Sequence, residues 1–262
     1  MTIFEELKKK FDKIYLLTLS NRADRKNAVL DQLRNIGLED EHDINIQYAT
    51  PFPHNDIIID AFNKSGRGRF TKPNEFDCAR NHYSIVRQAY DDSNCDSVLV
   101  IEDDIQFLKD AELFSKYLNN IPEKYDILQF GGFITDQNLE ILLNDRYPEK
   151  NNPNMLWLEH TLIGVWNASM YALSKRGMMF YLKYMDKFFW VADGPLYHAA
   201  SQQNSKIVKA YISRIPLTIQ ADKDIVNSDI RDKSNDNIDY NNQNVYEKNI
   251  NRSDYYEYKV EK

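Results

Sequence analysis

No stretch of this 262-residue chain approaches the ~20 consecutive apolar residues that cross a bilayer. Met1 to Phe11 contains Lys8-Lys9-Lys10 but lacks the apolar core of a secretory signal. The expectation is a cytoplasmic protein, with peripheral contact at the inner face of a membrane left open. Cysteine is scarce as well. Cys78 and Cys95 are too few for a disulfide framework and have no second pair to complete a zinc site, so both are read as reduced thiols. With 33 Lys+Arg against 40 Asp+Glu and a net charge of -7, a basic surface can exist only locally, which argues against nucleic acid as a main partner. There is no glycine-rich phosphate loop of the Walker type and no internal repeat. What is plentiful is apolar and aromatic content, 42% and 13%, ample for the core of a globular protein.

The most informative stretch is Ser97 to Phe107. Val98, Leu99, Val100 and Ile101 form a short β-branched run that follows the turn-like Asp91-Asp92-Ser93-Asn94, as expected of a strand buried on both faces. Glu102, Asp103 and Asp104 come directly after it, at the carboxyl end where open α/β sheets place their ligands. Neighbouring carboxylates repel by a few kcal/mol at about 4 Å and an effective dielectric near 20, so they need compensation. A hard divalent cation supplies it. If the segment stays extended, Glu102 and Asp104 share one face and can both approach Mg²⁺ or Mn²⁺, leaving Asp103 for a sugar or an amide. The alternative is a solvated acidic turn that caps a helix.

Other stretches set the architecture. Ile14 to Leu19 reads as a first strand, followed by a helix with Ser20 or Asn21 as its cap, Val29, Leu33 and Ile36 as its buried stripe, and Gly37 as its terminator. Arg22 and Arg25 stand at that strand-to-helix turn, within reach of a diphosphate or simply solvated. Ile44 to Ala49 alternates like a short strand. Lys64, Arg67, Arg69 and Lys72 form a basic, glycine-containing loop after Pro51 and Pro53 that could close over an anion. A helix is expected from Pro73 to Tyr90, and its His82 is either a core histidine or an acid-base or ligand group. Tyr125 to Phe130 and Trp166 to Leu173 read as strands, the latter leading into a helix capped by Ser174. Asp193 follows an aromatic run and precedes a helix beginning at Pro195, where an aspartate commonly serves as a cap. Ile215 to Gln220 closes the set. Alternating strands and helices predict an α/β fold with a mainly parallel central sheet over residues 1–232. Residues 233–262 are an asparagine-rich polar tail, expected to be mobile or partner-dependent.

In order and spacing these stations resemble glycosyltransferase family 25, which includes lipooligosaccharide glycosyltransferases and collagen galactosyltransferases. The likeness spans about residues 14 to 230. It rests on Ile14 to Arg25, on Glu75-Phe-Asp-Cys-Ala-Arg-Asn-His82, and on Val98 to Asp104, with weaker support from Tyr171 to Gly177, Asp193, Ile215 to Gln220 and Ser228-Asp-Ile230. Thr18 stands where the family usually carries asparagine.

The resemblance implies a GT-A-like nucleotide-sugar fold and an inverting transfer of a hexose, galactose or glucose, from a UDP-sugar to a glycan hydroxyl. It implies Mn²⁺ or Mg²⁺ on Asp104 and Glu102, with donor contacts from Thr18, Arg22, Arg25, Glu75, His82, Asp103 and Gln220. Asp193 becomes the expected general base, and a helix amino terminus there would favour its ionised form. The expected setting is surface glycan synthesis. Alternatives are a hydroxylysine galactosyltransferase, a phosphohydrolase, or a relative that binds glycan or nucleotide sugar without turnover.

Overall fold

A computed structural model describes residues 1–49, 56–66, 73–132, 155–159, 165–189, 191–199, 207–221 and 251–259. Pro51, Pro53, Arg67, Arg69, Lys72, Ser228 to Ile230 and the tail positions 233–250 lie outside the described residues. The two longest apolar runs are strands β1 (Lys13–Leu19) and β3 (Ser97–Glu102), which pair in parallel near the centre of a seven-stranded sheet. The other strands are β2 (Asn45–Ala49), β5 (Ile127–Gln129), β6 (Trp157–Glu159), β7 (Met170–Ser174) and β8 (Ala210–Ser213), in the order β2-β1-β3-β7-β5-β8-β6. Following the pairings, β2, β1, β3, β5 and β8 run one way, and β7 and β6 run against them. The fold is therefore α/β with a mainly parallel sheet, as the alternation of elements predicts.

Strand alternation divides the core into two layers. Leu16, Leu99, Ile101, Met170 and Ala172 face one layer, covered by Phe4 and Leu7 of α1 (Ile3–Lys10), by Val29, Leu30 and Leu33 of α2 (Ala23–Asn35), and by Phe114 and Leu118 of α5 (Ala111–Asn119). Tyr15, Leu17, Val98, Val100, Tyr171 and Leu173 face the other. There they meet Ile85, Val86 and Ala89 of α4 (Pro73–Asp91), Met178, Tyr181 and Leu182 of α6 (Lys175–Lys187), and Leu196 of α7 (Gly194–Ala199). Another helix, α3 (Asp56–Lys64), lies between β2 and α4 in the chain. Among the described residues, no helix is long and apolar enough to cross a membrane, and both cysteines are free thiols.

Several helix ends follow their local chemistry, and the start of α2 does not. Ser174 caps α6 by accepting the Gly177 N–H at 3.1 Å, and Gly37 leaves α2 at φ +107°, a region that a side chain strains. The α2 cap is Arg22, which makes no side-chain cap bond, rather than Ser20 or Asn21. The backbone turns back at that point, where Arg22 N–H bonds the Leu19 carbonyl.

Past the acidic residues the chain forms a second small sheet, β4 (Ile105–Phe107) antiparallel to β9 (Thr218–Gln220). The buried amide of Gln32 on α2 ties this sheet down, donating to Ile105 O and accepting from Phe107 N–H, each at 2.9 Å. Residues 251–259 pack alongside. Tyr256 N–H bonds Phe107 O, Lys109 N–H bonds Asp254 O, and Tyr255 and Tyr258 are buried. These nine residues belong to the stretch that composition reads as a polar tail, mobile or partner-dependent, and they pack beside β4. Polar composition concealed tyrosines whose rings supply apolar area while their hydroxyls find carbonyl partners.

Candidate active site

Alternation along β3 decides where each carboxylate goes. Val98 and Val100 face the α4 layer, so Glu102 does too; Leu99 and Ile101 face the α2 layer, so Asp103 follows them. Glu102 accordingly meets His82 of α4, with Nε2 at 3.0 Å from Oε1. Asp103 meets Arg25 of α2 at 2.5 Å and accepts the hydroxyl of Thr18, its neighbour on β1, at 2.6 Å. The strand ends at Glu102, and residues 103 and 104 form the turn into β4. Sequence alternation was expected to align Glu102 with Asp104, and it stops one residue short. Asp104 instead shares Arg25 with Asp103, its Oδ2 3.1 Å from the guanidinium.

This acidic turn is only partly neutralised. Burial raises the carboxyl of Asp103, opposed by Arg25 and then by the Thr18 hydroxyl. Asp104 is pushed up to about 7 by burial, with Arg25 opposing the rise and Glu102 and Asp103 adding to it. Its Oδ1 is buried without a hydrogen-bond partner among the described residues. A buried carboxylate oxygen with no donor is costly, and a hard cation or a protonated ligand group would satisfy it. The donor set of this turn fits Mg²⁺ or Mn²⁺.

The α4 side is a second half of the site. Glu75, Cys78 and His82 lie three and four residues apart, on one face of the helix. His82 is fully buried, and its Nδ1 lies 2.9 Å from the hydroxyl of Tyr171 on β7. Burial pushes the Cys78 thiol well up, and the charges of Glu102, Asp193, Asp104 and Glu75 push it further. Cys78 thus sits within electrostatic reach of carboxylates from α4, from the end of β3 and from the start of α7. Asp193, just before α7, accepts the Asn167 N–H at 2.9 Å. Asn167 has φ +93°, a conformation that non-glycine residues adopt rarely and often near functional sites. Burial raises the Asp193 carboxyl, with the Asn167 N–H opposing it. The expectation that a helix terminus would favour its ionised form is corrected, because desolvation outweighs that short helix.

The remaining predicted residues take varied places. Arg25 is buried against the acidic turn rather than standing open to a diphosphate, and Arg22 grips Asp24 through two nitrogens, at 3.0–3.2 Å. Gln220 pairs with Ile105 across β4 and β9, and the next residue's N–H bonds the Asp104 carbonyl. Sequence reasoning missed Gln32, Asn167 and Tyr258. The hydroxyl of Tyr258 donates to the Asp103 carbonyl and also lies 3.5 Å from Arg25 O, 233 residues away in sequence. Among these, Gln32 alone had a local signal: a polar residue flanked by Val29 and Leu33 in an apolar stripe.

A family model described as "Glycosyltransferase family 25 (LPS biosynthesis protein)" matches residues 11–194. No curated protein matches the chain. Similar solved structures include mouse xyloside xylosyltransferase 1 in its apo form, at 7% identity and TM-score 0.41, covering 76% of this chain and 84% of that one. The galactosyltransferase LgtC with donor and acceptor sugar analogues is similar at 10% identity and TM-score 0.36, over 72% of each chain. A 4-diphosphocytidyl-2C-methyl-D-erythritol synthase from Anaerococcus prevotii is similar at 15% identity and TM-score 0.36, covering 81% and 92%.

Proposed function

Since the chain belongs to glycosyltransferase family 25, we propose that it moves a hexose, galactose or glucose, from a UDP-sugar to a hydroxyl of a surface-glycan acceptor, with inversion at the anomeric carbon. The observation that carries this reading is the buried Asp104 Oδ1, unpartnered among the described residues, within an acidic turn at the carboxyl end of β3. Such a group is destabilising unless a cationic ligand uses it. A divalent ion such as Mn²⁺, held by Asp104 and Glu102, would supply positive charge to the departing diphosphate.

The chain's own residues do the rest. Thr18 and Arg25 hold Asp103 in one orientation, so its carboxylate is fixed for ribose or sugar hydroxyls. Arg22, Glu75, His82 and Gln220 complete the donor side. Asp193 accepts the proton of the acceptor hydroxyl as its oxygen attacks the anomeric carbon, while the bond to the diphosphate oxygen breaks on the opposite face. The Asn167 N–H holds the Asp193 carboxylate for that task, and the raised affinity of Asp193 for protons makes it a stronger base. Family membership in LPS biosynthesis favours a bacterial surface glycan over collagen as acceptor.

The test is incubation with Mn²⁺, an acceptor extract and a panel of nucleotide sugars, following nucleoside diphosphate release. Release of UDP from UDP-galactose or UDP-glucose, abolished by EDTA, is expected. Release from guanosine- or cytidine-linked donors alone would refute the donor, and free phosphate as the product would point to a phosphohydrolase.

A further inference from the structure

Cys78, His82 and Glu102 each offer one ligand atom, and these atoms lie within 4.8 Å of one another. Their chemistry differs from that of the acidic turn. A thiolate, an imidazole and a carboxylate form a borderline-soft set, which suits Zn²⁺ or Co²⁺ rather than Mg²⁺. The positions are also prepared by the fold. Cys78 and His82 are four residues apart on α4, hence one turn apart on the same face, and β3 delivers Glu102 opposite them. Metal-binding histidines commonly anchor their second nitrogen, and here the Tyr171 hydroxyl lies 2.9 Å from Nδ1. With the ring proton on Nδ1, the Tyr171 oxygen accepts it, and Nε2 exchanges its 3.0 Å contact with Glu102 Oε1 for the ion.

We propose that Cys78, His82 and Glu102 form a transition-metal site that takes one Zn²⁺ or Co²⁺ ion. Binding replaces the thiol proton, which leaves to solvent, and leaves the fourth tetrahedral position for water or a ligand. Because Glu102 also belongs to the proposed Mn²⁺ set, the two ions compete for it. Zn²⁺ thereby becomes an inhibitor that acts through Glu102. The metal-binding claim stands on side-chain geometry and does not depend on the hexosyltransfer reading.

The experiment is titration of the reduced, metal-free full-length protein with Co²⁺, read by absorption. A near-ultraviolet thiolate-to-cobalt charge-transfer band should saturate at one equivalent and collapse on adding Zn²⁺. Cys78→Ser should lose the band. Cys95→Ser should keep it, since Cys95 is buried elsewhere, with its thiol bonded to Ser97 O at 3.4 Å. Tyr171→Phe should weaken Co²⁺ affinity by roughly 10- to 100-fold, the usual loss when an outer partner of a ligating histidine is removed. If Cys78→Ser fails to fold, His82→Gln decides the question through an affinity loss of at least roughly tenfold. Absence of the band at millimolar Co²⁺, or its survival in a folded Cys78→Ser protein, would overturn the proposal. None of these readings requires turnover.

Discussion

Asp104→Asn should make this protein more stable at alkaline pH while disabling it. The carboxyl is lifted from 3.8 to about 7, chiefly by burial, with Arg25 already opposing the rise. Since each unit is worth about 1.4 kcal/mol, the ionised form costs the native state roughly 4 kcal/mol relative to the neutral one. The sign follows from proton counting. Between the two values the native state holds the proton and the unfolded chain does not, so this group's contribution to stability falls as pH rises from about 4 to about 7. Asparagine mimics the neutral form and keeps the shape. The variant should therefore gain up to roughly 4 kcal/mol at pH 8, about half of that near pH 5.5, and little at pH 4. Urea denaturation of both proteins in EDTA at those three values measures it. Mn²⁺ should stabilise wild type more at pH 8 than at pH 5, and should leave the variant unmoved, because a ligand stabilises only through the state it binds. A variant less stable than wild type at pH 8, or a difference independent of pH, would refute the electrostatic account of the acidic turn.

Asp193→Asn retains an oxygen for the Asn167 N–H, so turnover should fall by roughly 10²- to 10⁴-fold with donor affinity unchanged and no loss of stability. In wild type the raised Asp193 carboxyl predicts a rate that drops on acidification above the ordinary carboxylate range; near-normal turnover in the variant would assign the base elsewhere. Tyr258→Phe removes the donor to the Asp103 carbonyl, and should cost about 1–3 kcal/mol if that carbonyl stays buried and unpaired. A change within about 0.5 kcal/mol of wild type would mean that residues 251–259 are not held against the turn in solution.

These expectations share one physical theme. Two half-sites meet at the carboxyl ends of β1 and β3, and each carries unfavourable terms that packing elsewhere must offset: buried carboxyls in one, a left-handed Asn167 beside Asp193 in the other. Active sites commonly give up stability in this way for the sake of function.

The amino-acid order by itself determined whatever depends on neighbours in the chain. Apolar runs at Ile14 to Leu19 and Val98 to Ile101 specify the central strands, since a strand buried on both faces needs no polar alternation. Ser174 and Gly37 mark their helix ends because a hydroxyl cap and a left-handed terminator are properties of single residues. The acidic triplet's place at a strand's carboxyl end was legible for the same reason. Only the tertiary structure decided which partner each carboxylate meets. Glu102 goes to His82 and Asp103 to Arg25 because alternate side chains face opposite layers, and Asp104 joins Asp103 because the strand gives way to a turn. Tyr258 lies 155 residues from Asp103, and no local period connects them. That contact exists because the apolar surface beside β4 is covered by the chain's last described segment, and long-range burial of this kind leaves no signature in sequence spacing.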